Sequence, residues 1–130
     1  MVEKKVPSFG ANHAAPEAGK HRNDAGIQLR SKVWLEVDGK LLMGWGRAQL
    51  LERIDELGSI SAAARSMKVA YRNAWLWVEA MNSLAPRPLV EKSTGGPRGG
   101  YARLTEEGRR VLREYKETRE RVRRMAGGAI

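Results

Sequence analysis

Hydrophobic positions along this chain change their period several times, and each change marks an element. From Leu29 to Trp45 the pattern predicts a β-hairpin. Val33, Leu35 and Val37 alternate with Lys32, Trp34 and Glu36, and Asp38-Gly39 forms a two-residue turn signal. Leu41, Met43 and Trp45 continue the alternation on the return strand. From Arg47 the period lengthens to that of a helix. Leu50, Leu51, Ile54 and Leu57 fall on one stripe while Glu52, Arg53, Asp55 and Glu56 face outward. Gly58 suits the C′ position, where a left-handed residue ends a helix without a Cβ clash. Ser59 or Ser61 then caps a short second helix, Ala62 to Met67, whose small side chains allow close helix approach.

Lys68 and Val69 form a turn, and Ala70 begins a third helix with Val69, Ala74 and Val78 as its core face. Met81 and Leu84 extend that face; Tyr71, Arg72 and Asn73, with Leu76 and Trp77, point elsewhere. Trp75 and Trp77 lie about 200° apart on a helix, so at least one belongs to the core. Pro86 and Pro88 end the helix, because proline lacks an N–H and restricts the residue before it. Leu89–Ser93 and Tyr101–Leu104 are short strands joined by the Gly-rich segment 94–100, which is too long for a minimal hairpin turn and fits a wing. Thr105 caps a last helix with Glu106 and Glu107 in its first turn, where the macrodipole favours negative charge. Val111, Leu112, Tyr115, Val122 and Met125 form its apolar stripe. At about 20 residues, roughly 30 Å, that helix exceeds what so small a domain can cover, which makes the stripe a candidate dimer seam.

These elements predict a mainly α fold with a small β component: a winged helix-turn-helix with an N-terminal β-hairpin and a long C-terminal dimerisation helix. Residues 1–28 carry Pro7, Pro16 and three glycines with no period, and are expected to be a disordered tail. Residues 29–104 form the winged unit, and residues 105–130 the dimerisation helix.

Charge sharpens the functional expectation. The chain of 130 residues has a formal net charge of +9, which favours a polyanionic partner. Residues 1–60 are nearly balanced, with nine basic and eight acidic side chains, whereas residues 61–104 hold seven and two. The excess falls on the helix-turn-helix and wing. There are no cysteines, so disulfides, thiolate metal sites and cysteine nucleophiles are excluded. No apolar run approaches a membrane span, and the cytoplasm is the expected compartment. His13 and His21 stand eight apart in the tail without carboxylate or cysteine partners, so no metal or cofactor is expected.

Tyr71, Arg72 and Asn73 are the foremost candidates for function, because the opening residues of the second motif helix meet base edges. Arg can reach O6 and N7 of guanine, Asn can reach N6 and N7 of adenine, and Tyr can contact phosphate or a thymine methyl. Ser61, Lys68, Lys92, Thr94, Arg98 and Arg103 are the expected contacts to phosphate or the minor groove. The glycine-rich wing is not a nucleotide-binding loop, since no Gly-Lys-Ser/Thr follows and it joins two strands. Gly44-Trp45-Gly46 is too short for a dinucleotide fingerprint. On the last helix, basic residues from Arg109 to Arg124 alternate with Glu114, Glu117 and Glu120, as on a solvated, salt-bridged face. Nothing in the pattern provides an acid–base pair, and an enzyme is not expected.

The segments Gly58-Ser59-Ile60-Ser61-Ala62-Ala63-Ala64, Tyr71-Arg72-Asn73-Ala74-Trp75, Leu89–Gly96 and Ala102–Gly108 resemble the N-terminal domain of the ModE family of molybdate-responsive bacterial transcription regulators. The first of these segments is shared with LysR-type regulators. The similarity runs from about Leu35 to Tyr115. It implies a winged helix that dimerises through this domain and binds a two-fold-related operator near genes for molybdate or tungstate use. Ala70 replaces the family's usual serine, Lys68 a frequent glycine, and Pro97-Arg98 and Tyr101 interrupt the wing. The family's oxyanion-binding C-terminal domains have no counterpart in these 130 residues, so the resemblance does not carry molybdate sensing with it.

The expected function is therefore a homodimeric, sequence-specific regulator of transcription that binds double-stranded DNA, with a protein partner as one source of a controlling signal and no membrane association. A weakly specific architectural protein would show a specificity ratio near one at physiological salt. A protein-interaction module would fail to bind duplex even at low salt.

Overall fold

The computed structural model describes residues 26–93 and 100–127. Most of the expected tail, and the wing-tip residues Thr94 and Arg98, lie outside the described residues. Strand β1 (Leu35–Val37) pairs antiparallel with β2 (Lys40–Met43). Asp38 and Gly39 both take positive φ, 52° and 77°, as the tight turn between twisted strands requires. The return strand departs from the alternation predicted for it. The pairing slips between Leu35 and Glu36, and the irregularity turns the adjacent Leu42 and Met43 both inward while Leu41 faces solvent. Trp45 does not end a strand; it opens the first helix.

Helices α1 (Trp45–Leu57), α2 (Ile60–Met67) and α3 (Tyr71–Leu84) form the tri-helical unit. Gly58 ends α1 at φ 83°, with its N–H on the Ile54 carbonyl at 2.9 Å. Ser59 rather than Ser61 caps α2: its hydroxyl accepts from the Ala62 N–H at 3.0 Å. Lys68 ends α2 in the left-handed region at φ 60°. Its N–H reaches the Arg65 carbonyl, and the Val69 N–H reaches that of Ala64 at 3.0 Å. This paired closure normally places glycine where Lys68 stands. Ala70 offers α3 no side-chain cap. Ala48, Leu50, Leu51, Ile54, Ala63, Ala64, Ala74, Val78 and Met81 fill the core between the helices. Leu57 is exposed and Val69 half-buried, so neither completes the stripe expected of it. Trp75 and Trp77 both rest partly buried against the core.

After α3, strand β3 (Val90–Ser93) pairs with β4 (Tyr101–Leu104) in the register Val90 to Leu104 through Ser93 to Tyr101. Hydrogen bonds fix the wing to the helices. The Ala102 N–H donates to the Gly58 carbonyl at 2.9 Å, joining β4 to the α1–α2 turn. Asn82 on α3 accepts from the N–H groups of Leu89 and Val90 at 2.9 and 3.0 Å and donates to the Val90 carbonyl at 2.9 Å.

Helix α4 (Glu106–Ala126) begins at Thr105, whose hydroxyl accepts from the Gly108 N–H at 2.9 Å. A Cβ on Gly108 would lie 2.1 Å from the Leu89 carbonyl oxygen, so this close approach of helix to strand needs glycine. Helix α4 runs antiparallel to α1. Arg109 meets Asp55 at 3.5 Å, Lys116 pairs with Glu52, and Arg119 lies over the Trp45 ring at 3.8 Å.

Candidate nucleic-acid interface

Geometry at the start of α3 follows from what its other face must do. Ala74, Val78 and Met81 are buried at helical spacing, so the opposite face is turned to solvent. Arg72 lies on that face, and Tyr71 and Asn73, to either side of it on the first turn, are exposed as well; no described residue pairs with the guanidinium of Arg72 or the amide of Asn73. Lys68, held by the α2–α3 turn, is exposed just before them. Ser61, on the first turn of α2, is exposed and accepts a hydrogen bond from Arg65 at 3.3 Å. Three exposed polar side chains and a neighbouring cation are thus presented together by one helix end and the turn before it.

The wing residues have partners within the protomer. Lys92 forms an ion pair with Glu79 of α3 at 2.7 Å and lies 5.8 Å from the Trp75 ring centroid. Arg103 pairs with Glu91 across the ladder at 3.3 Å and sits against Tyr101; its hydrogen bond to Glu91 raises its pKa. Both residues organise the wing and its contact with α3. Two further positions were not visible from sequence. Asn82 ties α3 to β3, as above. Arg47 donates to the carbonyls of Leu41 and Leu42 at 2.9 and 3.2 Å, securing the first hairpin to α1, and its burial lowers its pKa. An asparagine just before a proline-bounded turn was the only signal for the first; the second carried none.

The expected seam residues divide into two groups. Leu112 and Tyr115 are buried and Val111 is partly buried against the protomer's own core. The Tyr115 hydroxyl donates to the Val33 carbonyl at 2.8 Å, and burial raises its pKa. Val122 is half-buried and Met125 is 81% exposed, on the part of α4 beyond Arg119 and the start of α1. No described helix is long and apolar enough to cross a membrane.

Three packed helices, a wing tied to the third, and an open N-terminal end on that helix define a winged helix-turn-helix protein. The chain belongs to the bacterial regulatory helix-turn-helix proteins of the lysR family, whose family profile matches residues 45–109. It is 48% identical over 69 residues to the transcriptional regulator ModE of Haemophilus influenzae, a match that covers 53% of this chain and 27% of that protein. Against the DNA-binding transcriptional dual regulator ModE of Escherichia coli K12 the identity is 40% over 89 residues, covering 68% and 34%. The molybdenum transport protein ModE of Azotobacter vinelandii is 38% identical over 86 residues, covering 66% and 32%. The chain thus spans about a third or less of the length of these relatives. Its fold is similar to that of Lactococcus lactis ZitR, solved as a cysteine-to-serine mutant in complex with DNA. The TM-score is 0.50 at 12% identity, covering 85% of this chain and 77% of that one.

Proposed function

We propose that this chain binds double-stranded DNA with sequence specificity as a homodimer, to regulate transcription from a two-fold-related operator in the cytoplasm. The observation that carries this is the Arg72–Asn73 pair, without partners among the described residues, on the open end of α3 beside the exposed Lys68. Donors left without partners on a rigid helix end are available to a ligand, and they match purine edges in the major groove. The family match and the names of the relatives support the same class of partner. Arg72 and Asn73 read bases, while Tyr71, Ser61 and Lys68 hold the backbone. Thr94 and Arg98 are assigned to the wing's contact with phosphate or the minor groove, and Lys92 and Arg103 hold the wing in place for it. The C-terminal end of α4, with Val122 and Met125, supplies the seam between protomers. Names of the relatives connect them with molybdenum, and a site beside molybdenum-transport genes is the corresponding genomic expectation.

The test is selection of a preferred duplex from a randomised pool, followed by Arg72→Ala. The substitution is expected to weaken the selected site by about 1–3 kcal/mol and to flatten preference at one base pair per half-site. Equal loss on selected and random duplex would make Arg72 a phosphate contact instead.

A further inference from the structure

Helix α3 carries an apolar side chain at the centre of its solvent-facing surface. At about 100° per residue, Leu76 lies about 40° from Arg72 around the axis, and Ser83 about 20°. The buried positions Ala74, Val78 and Met81 fall between about 180° and 240° on the same scale, opposite Leu76. The side chain is 43% exposed, although a charged or polar residue on this midline would cost nothing. The neighbouring aromatics do not cover it. Trp77 turns aside to stack over Gly46, at 3.8 Å from where that residue's Cβ would be, and Trp75 faces Lys92 of the wing. On the next turn Ala80 is small, and the carboxylate of Glu79, the other neighbour on this face, is held by Lys92 at 2.7 Å.

We infer that Leu76 reads a thymine through its 5-methyl group, as the apolar partner to the Arg72 contact. The inference rests on the DNA-binding function proposed above and names what that surface selects. Thymine is the base whose major-groove edge offers a methyl group, and apolar side chains recognise it by contact. Arg72 precedes the leucine by one turn on the same face, and the exposed Lys68 stands in the turn before the helix, which suits a polyanion carrying an apolar spot and disfavours a purely apolar partner. Leu76 lies one helical turn beyond Arg72, about 6 Å along the axis. Base pairs follow one another every ~3.4 Å, so the thymine belongs within about two steps of the base that Arg72 reads.

The experiment uses the full 130-residue chain and the duplex it selects from a randomised pool. Each thymine is replaced in turn by deoxyuridine, which removes the methyl and leaves every hydrogen-bonding group in place. Wild type should lose about four-fold in affinity at one position per half-site, the worth of one buried methyl. The Leu76→Ala variant should bind the unmodified duplex more weakly by a similar factor and be insensitive to deoxyuridine at that position. Leu76 is exposed, so the variant's thermal midpoint should match wild type, and this is measured alongside. If wild type binds a selected duplex but every replacement affects both proteins equally, Leu76 does not read a methyl group. If neither protein prefers any duplex, the DNA-binding function falls, and the inference with it.

Discussion

At the scale of single residues, stability and the proposed DNA binding would draw on Lys68 in opposite directions. Its backbone occupies the left-handed region, at φ 60°, in a closure that normally selects glycine. A side chain there costs about 1 kcal/mol. Lys68→Gly should therefore raise the stability of the fold by about that amount in urea titrations. If Lys68 holds a phosphate, the same variant should bind every duplex more weakly and lower the salt dependence of binding by about one ion. A variant that is more stable and binds as before would remove Lys68 from the interface.

Tyr115 illustrates the residue scale in the core. Burial raises its pKa, so the folded protein keeps the phenol neutral to a higher pH than the unfolded chain does. The associated stability is complete below the ordinary tyrosine value of about 10 and is lost as pH rises through the folded-state value. Tyr115→Phe should cost about 1 kcal/mol near neutrality, through the lost bond to the Val33 carbonyl. It should also flatten the fall in stability above about pH 10, which urea midpoints measured across the alkaline range would show. A fall as steep in the variant as in wild type would assign the alkaline loss to other groups.

At the scale of elements, the joint between α3 and the wing depends on one side chain. Asn82 satisfies two N–H groups and one carbonyl at the start of β3. Asn82→Ala should cost about 2–3 kcal/mol and accelerate hydrogen exchange at Leu89 and Val90. Unchanged exchange at those amides would mean that contacts other than Asn82 protect them. The element scale is also where sequence was most and least informative. The Asp38-Gly39 turn, the end of α1 at Gly58 and the start of α4 at Thr105 were legible, because each is closed by bonds between residues at most four apart. The inward turn of both Leu42 and Met43 was not, since a slipped pair depends on the partner strand and on Arg47 gripping the carbonyls of Leu41 and Leu42. The candidate base-reading end of α3 stood out through its position after a short turn. Leu76 was read off the core face from the helical period alone, whereas the packing of Trp77 on Gly46 required the fold.

For the whole molecule, the proposed dimer would have to hold two α3 helices at the spacing of a DNA turn, about 34–36 Å. Helix α4 is anchored on α1 through Arg109, Lys116 and Arg119, and its last turns continue beyond that support. Replacing Val122 and Met125 together with glutamate should leave the circular dichroism spectrum of the protomer intact. It should halve the mass measured by sedimentation, and reduce affinity for a two-half-site duplex to that for one half-site. A wild-type protein that sediments as a monomer at every concentration would move the seam elsewhere or remove it.

By itself, the sequence determined the order of elements, their local ends and the concentration of positive charge on the helix-turn-helix and wing. These follow from hydrophobic period, capping chemistry and composition, all of which act over a few residues. Only the tertiary structure decided which apolar residues remain outside. Leu112 and Tyr115 share a stripe with Met125 in the sequence, yet the first two are enclosed by the core, with Tyr115 bonded to a carbonyl 82 residues away. Met125 lies past the start of α1 and is left uncovered. Burial depends on which surfaces meet in space, and a one-dimensional pattern records only that a side chain is suited to being covered.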